Sequence, residues 1–191
     1  MLLHPGRLHH LYNRGNNGEQ VFYNPGHYLH FLRKLREHLL PTGQLLAYCL
    51  MPNHFHLLFE PADTDAAVDA TRHGLGLVLG SYAQGLNKER KRTGSLFQKR
   101  TKAKLLEGSS TSRYPTTCFH YLHQNPYRAR LVTHLEDWPY SSYRDYAGLR
   151  SGTLCSLDYG RQLFDLPTAG PAFQVDSARH IPAEFALPIL Y

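Results

Sequence analysis

Short apolar runs alternate with turn residues along the chain, and the pattern predicts a small sheet with helices packed on it. Residues 8–14 (LHHLYNR) read as a strand, closed by Gly15, Asn16, Asn17 and Gly18, a cluster that favours turns. Pro25 stands where a helix can begin. Leu29, Leu32, Leu35 and Leu39 then recur at helical spacing through about Leu40, where Pro41, Thr42 and Gly43 end the pattern. Residues 44–50 (QLLAYCL) and 55–59 (FHLLF) read as two strands joined by a turn at Met51, Pro52 and Asn53, which makes a hairpin. After Pro61 come Asp63, Asp65 and Asp69, then a second helix over part of residues 66 to about 92, weakened by Gly74, Gly76, Gly80 and Gly85. Residues 101–106 are a fourth strand candidate. A third helix is predicted over about 111–130, with Pro115 setting its start and Pro126 ending or kinking it. Beyond Trp138 the chain is rich in loops and prolines, and no element is predicted there.

This order is the split βαβ pattern of a ferredoxin-like sheet with one helix added. The expected class is therefore α+β: an antiparallel sheet with helices packed on one face, followed by an irregular C-terminal tail. The boundary is placed between residues 1–150 and a tail of 151–191. Many functions share this fold, so function has to be read from a site.

Composition narrows the class. With 191 residues the chain has the length of one domain and can bury a sizeable core. At 42% hydrophobic and 19% charged it is not disordered throughout. It has no run of about 18 apolar residues, so no membrane-spanning helix is expected. The first residues lack an apolar core, so no secretory signal is expected either. Cys49, Cys118 and Cys155 are odd in number and have no paired spacing, which suits free thiols in a reducing cytoplasm. The formal net charge is +6, and residues 151–191 set two basic side chains against four acidic ones. The positive excess therefore lies in the body, which favours a polyanionic partner, though many cytosolic proteins are mildly basic.

Three local features carry chemistry. His54 and His56 flank Phe55 on a predicted strand, so both imidazoles share one face while Phe55 turns to the other. Such a pair can share a divalent metal and leave positions open for substrate, but it also suits two surface histidines on a half-exposed strand. Tyr121 and Asn125 are one helical turn apart, with Gln124 beside them, offering a hydroxyl nucleophile and an amide oxygen ligand. The plainer reading is a core tyrosine before a helix-ending proline. Lys88, Arg90, Lys91, Arg92, Lys99, Arg100, Lys102 and Lys104 concentrate positive charge, with Phe97 and Gln98 interleaved. That segment can neutralise phosphates and stack a base, or it can be a solvated face.

Several ordered motifs together resemble the single-tyrosine HUH transposases, and within them the REP-associated tyrosine transposases. They are Asn13-Arg14-Gly15-Asn16; residues 47–58 (AYCLMPNHFHLL); Asn87; residues 94–100 (GSLFQKR); residues 121–132 (YLHQNPYRARLV); and residues 138–143 (WPYSSY). The resemblance covers about residues 8–148. It implies an enzyme that cuts single-stranded DNA beside a folded hairpin and rejoins it. Under it, His54 and His56 hold magnesium or manganese with Asn125 as third ligand, or Gln124 in its place. Tyr121 attacks the phosphate and keeps the 5′ phosphate as a phosphotyrosine. Arg14 and Asn16 are expected near the DNA, with the basic segment along it. The expected partner is hairpin-bearing single-stranded DNA, met by a monomer or homodimer at the nucleoid in the cytoplasm, with no membrane. The family's C-terminal run is small or basic, whereas this tail is acidic and proline-rich, which favours a packing or autoinhibitory role. Two rivals remain. One is a non-catalytic hairpin-binding module on the same scaffold. The other is a metallohydrolase, which needs a carboxylate base from Glu60 or Asp63.

Overall fold

A computed structural model describes residues 1–106 and 114–181. Four strands form one antiparallel sheet: β1 (His9–Arg14), β2 (Gly43–Met51), β3 (His54–Pro61) and β4 (Lys102–Leu105), in the order β2-β3-β1-β4. That is the ferredoxin-like order, as expected. The helices are α1 (Pro25–His38), α2 (Asp65–Glu89), α3 (Tyr114–Arg128), α4 (Tyr143–Tyr146), α5 (Leu157–Leu163) and α6 (Pro171–Ser177).

The helices occupy both faces of the sheet, not one face as expected. Phe55, Leu57 and Phe59 of β3 point to one side, with Leu11, Tyr48 and Leu50, and meet Phe31 and Leu35 of α1 and Val78 and Tyr82 of α2. The added helix α3 lies on the other side, over β2, where Cys118, Tyr121 and Leu122 pack with Cys49, Met51 and Leu58. Both faces carry helices because the strands alternate apolar residues on both sides, and each side has to be covered.

Local chemistry sets the ends and approaches of these elements. The Asn24 side chain accepts the His27 amide at 3.1 Å, and Pro25 occupies the first helical position of α1. Of the expected leucine series, Leu35 and Leu39 are buried and Leu32 packs against the core, whereas Leu29 is 61% exposed; Tyr28 and Phe31 complete the buried face of α1. In α2, Gly74 permits the close crossing with α1; a Cβ there would stand 2.2 Å from the His38 carbonyl oxygen. The glycine read as a weakness is a contact point.

Pro126 neither ends nor breaks α3, which continues to Arg128. It lies within the last turn, so only one backbone bond is forfeited, and Ala129 and Leu131 still donate to the Asn125 and Pro126 carbonyls. The first predicted residues of this helix, 111–113, lie outside the described residues. In β2, the register shifts between Leu45 and Ala47. This bulge turns the Leu46 carbonyl outward, where the Tyr146 hydroxyl donates to it at 2.6 Å. The outer edge of β2 is closed by residues 140–142: Leu50 donates to Tyr140 and Ser142 donates to Tyr48.

The stretch expected to be irregular holds α5 and α6, joined by loops. Phe164, Phe173 and Ile181 bury into the core that α3 shares with β2. Aromatic anchors spaced along a proline-rich segment dock it without any periodic pattern, which is why no element was legible there. Among the described residues no helix is long and apolar enough to cross a membrane. The three cysteines are free.

Candidate functional site

His54 and His56 stand on β3, on the face opposite Phe55, which is fully buried among Phe31 and Phe97. The rings lie 4.9 Å apart, edge to face. Across the ladder Arg14 is opposite His54 and Tyr12 is opposite His56. Over them opens a cleft of about 410 Å³ lined by Tyr12, Arg14, His54, His56, Arg100 and Lys102. Asn13 supports its far wall, donating through Nδ2 to the Gln98 carbonyl and to the Thr101 hydroxyl. The glycine-asparagine turn is knitted to the same wall: Gly15 donates to the Asn53 carbonyl, Asn16 to the Leu96 carbonyl, and Gln98 to the Arg14 carbonyl.

Each imidazole has a defined partner at Nδ1. The Asn53 Nδ2 donates to the Gly18 carbonyl at 3.2 Å, so its Oδ1 faces His54 Nδ1 at 2.6 Å. An amide oxygen only accepts, so His54 Nδ1 carries the hydrogen and Nε2 keeps the lone pair. His56 Nδ1 lies 2.8 Å from His10 Nε2, and His56 Nε2 is buried without a hydrogen-bond partner. Burial, reinforced by Arg14, lowers His54 to about 4, and burial also pushes His56 well below its ordinary value. Both rings are therefore neutral near pH 7, the form that ligates metal.

These nitrogens suit a borderline divalent cation. No group of three His, Cys, Asp or Glu side chains among the described residues is arranged to hold a metal ion, so a cation here would need further oxygen donors. Asn125 is buried, with Nδ2 unpartnered. Gln124 is committed elsewhere: its Nε2 donates to the Ser177 and Arg179 carbonyls, both at 2.8 Å. Tyr121 is only 3% exposed and carries the Arg128 guanidinium over its ring at 5.3 Å. The Tyr121 helix thus covers the sheet face from which the histidines project, but α3 contributes no residue to the histidine cleft.

The basic segment divides. Arg100 and Lys102 reach the cleft with Arg14. Arg90 lies over the Tyr23 ring, Arg92 pairs with Glu19, and Lys104 lies over the Tyr114 ring. Lys88, Lys91, Lys99 and Asn16 are exposed. Phe97 is not available to stack a base; it is buried against Phe31, Phe55 and Tyr82 because its strand-like segment bridges to Gly15. His10 and Asn53 are the site residues that spacing did not single out. Their only sequence signal was proximity to the strand and to the histidine pair.

No protein-family model matches the chain, and no curated protein matches it in sequence. Among solved structures it is similar to a REP-associated tyrosine transposase bound to a REP hairpin, at a TM-score of 0.54 and 15% identity. The match covers 82% of this chain and 92% of that one.

Proposed function

We propose that the protein is a single-tyrosine, metal-dependent endonuclease and strand transferase acting on single-stranded DNA beside hairpins. The observation that carries the reading is the pair of adjacent imidazoles projecting into a cleft walled by Arg14, Arg100 and Lys102. Support comes from the fold it shares with a transposase that binds a REP hairpin. His54 and His56 would hold the cation, magnesium or manganese, with Asn125, which stands outside the cleft, joining as the amide ligand when α3 moves. When bound, it supplies Lewis-acid polarisation of the scissile phosphate.

The protein's own groups do the rest. Arg14, Arg100 and Lys102 neutralise phosphates and hold the strand over the cleft. The Tyr121 oxygen attacks phosphorus, a new P–O bond forms, and the 3′ oxygen leaves with its electron pair and takes a proton. The phosphotyrosine conserves the bond energy, so a 3′-hydroxyl can reverse the step at another end. Because Tyr121 is buried, cutting requires its hydroxyl to be uncovered, which couples the reaction to movement of α3 or of the segment packed on it. The hydrolase alternative is disfavoured by position. Glu60 lies four residues along β3 from His56, about 13 Å at roughly 3.3 Å per residue, and accepts from the Tyr159 hydroxyl, while Asp63 lies past the end of β3 at Pro61.

The test is a covalent-adduct assay with manganese and hairpin oligonucleotides labelled on the 3′ side of candidate cuts. An adduct lost in both Tyr121→Phe and His54→Ala is the expected result. Cleavage without an adduct overturns the tyrosine chemistry. Binding without cleavage makes the protein a hairpin-binding module.

A further inference from the structure

We propose that His10 is a positioning residue for His56, accepting its Nδ1 hydrogen and so fixing the tautomer whose Nε2 carries the lone pair. The inference rests on the reading that His54 and His56 hold a cation. His10 is on β1 and His56 on the adjacent β3, on the same face of the sheet. Their nitrogens are 2.8 Å apart and both rings are buried. The rings stack at 5.0 Å, and Tyr12 stacks on His10 at 4.8 Å, so neither imidazole is free to turn over.

Two proton arrangements satisfy this contact. If His10 donates, His56 Nε2 must carry the other hydrogen and presents an N–H to the cleft. If His56 donates, its Nε2 presents a lone pair and the spare hydrogen sits on His10 Nδ1. Neither His10 Nδ1 nor His56 Nε2 has a hydrogen-bond partner, so both arrangements leave one buried N–H unpaired. A cation breaks the tie, because only the second arrangement lets His56 ligate it. His54 supplies the parallel: Asn53 Oδ1 accepts its Nδ1 hydrogen and leaves Nε2 bare. The two imidazoles are then held alike, one from the hairpin turn and one from the neighbouring strand.

The test reads tautomers directly. Long-range proton–nitrogen correlation spectra of the magnesium-loaded, nitrogen-15-labelled protein at neutral pH are expected to show His56 protonated at Nδ1. Manganese affinity, by calorimetry, is expected to fall about 10- to 100-fold in His10→Leu. His10→Gln, whose side-chain oxygen can accept the same hydrogen, is expected to restore both the tautomer and the affinity. His56 protonated at Nε2 in the magnesium-loaded wild type overturns the proposal and requires no variant to fold. Unchanged affinity in folded His10→Leu, while His54→Ala weakens manganese, overturns the role of His10 alone. Affinity indifferent to His54→Ala overturns the metal reading and this proposal together.

Discussion

Arg14 faces His54 directly across the β1–β3 ladder, with its guanidinium exposed on the rim of the cleft. The site therefore sets a cationic side chain and the ring proposed to ligate the cation at one register position. Arg14→Ala is expected to weaken binding of a hairpin oligonucleotide with single-stranded flanks. The slope of log affinity against log salt should become shallower by about 0.7, the share of one phosphate contact on a single strand. Filter binding at several salt concentrations reads it; an unchanged slope would place the strand elsewhere.

The two amides of α3 should separate cleanly. Gln124→Leu strips two tail carbonyls of their donors and is expected to destabilise by about 1–3 kcal/mol in thermal unfolding. Cleavage by the folded variant should persist. Asn125→Ala should instead lower manganese-dependent cleavage with little change in melting temperature. The reverse pattern would exchange the two assignments.

Phe97 belongs to the core. Phe97→Ala is expected to cost about 3–5 kcal/mol in denaturant unfolding. A variant that binds DNA poorly at full stability would return Phe97 to a base-stacking role.

Stability should fall in mild acid. Burial holds His9, which donates from Nδ1 to the Arg7 carbonyl, and His120, which faces Asp176, below the ordinary 6.5. The unfolded chain then binds more protons than the folded one as pH drops below 6.5. The contribution is complete above that pH and is lost as pH falls toward the folded values. Melting temperatures at pH 7.5, 6 and 5 should decline progressively, and less steeply in His9→Leu. A flat profile would show that these rings titrate normally in the fold.

The Asp145–Arg150 pair anchors the segment beyond α4. Arg150 also donates to the Pro139 and Ser141 carbonyls and to the Tyr48 hydroxyl. Removing the cation in Arg150→Met leaves a buried carboxylate and is expected to cost about 3–5 kcal/mol, read by chemical denaturation. A loss below about 1 kcal/mol would mean the network is solvated.

The sheet was legible because period-2 alternation, turn residues and the hairpin agreed with one another at β1, β2 and β3. The histidine pair was legible for the same reason, since alternation alone puts both rings on one face. What escaped depends on contacts between distant residues. The His10–His56 bond joins two strands that only the tertiary fold makes neighbours. Phe97 looked like a surface aromatic among lysines until its segment paired with the Gly15 turn. The helices after Trp138 are short and held by single buried aromatics such as Phe164 and Phe173, which leave no periodic trace. Pro126 misled because a proline in the last turn forfeits little.

Strand β1 is synthesised first yet lies inside the sheet, between β3 and β4. It carries His10, Tyr12 and Arg14, but its hydrogen-bonding edges stay empty until α1, the hairpin and finally α2 have emerged behind it. The cleft is thus assembled from the oldest and the youngest parts of the sheet. A nascent or truncated chain that stops short of β4 would have both histidines and no finished wall around them, so a competent cleft certifies that translation has passed residue 105.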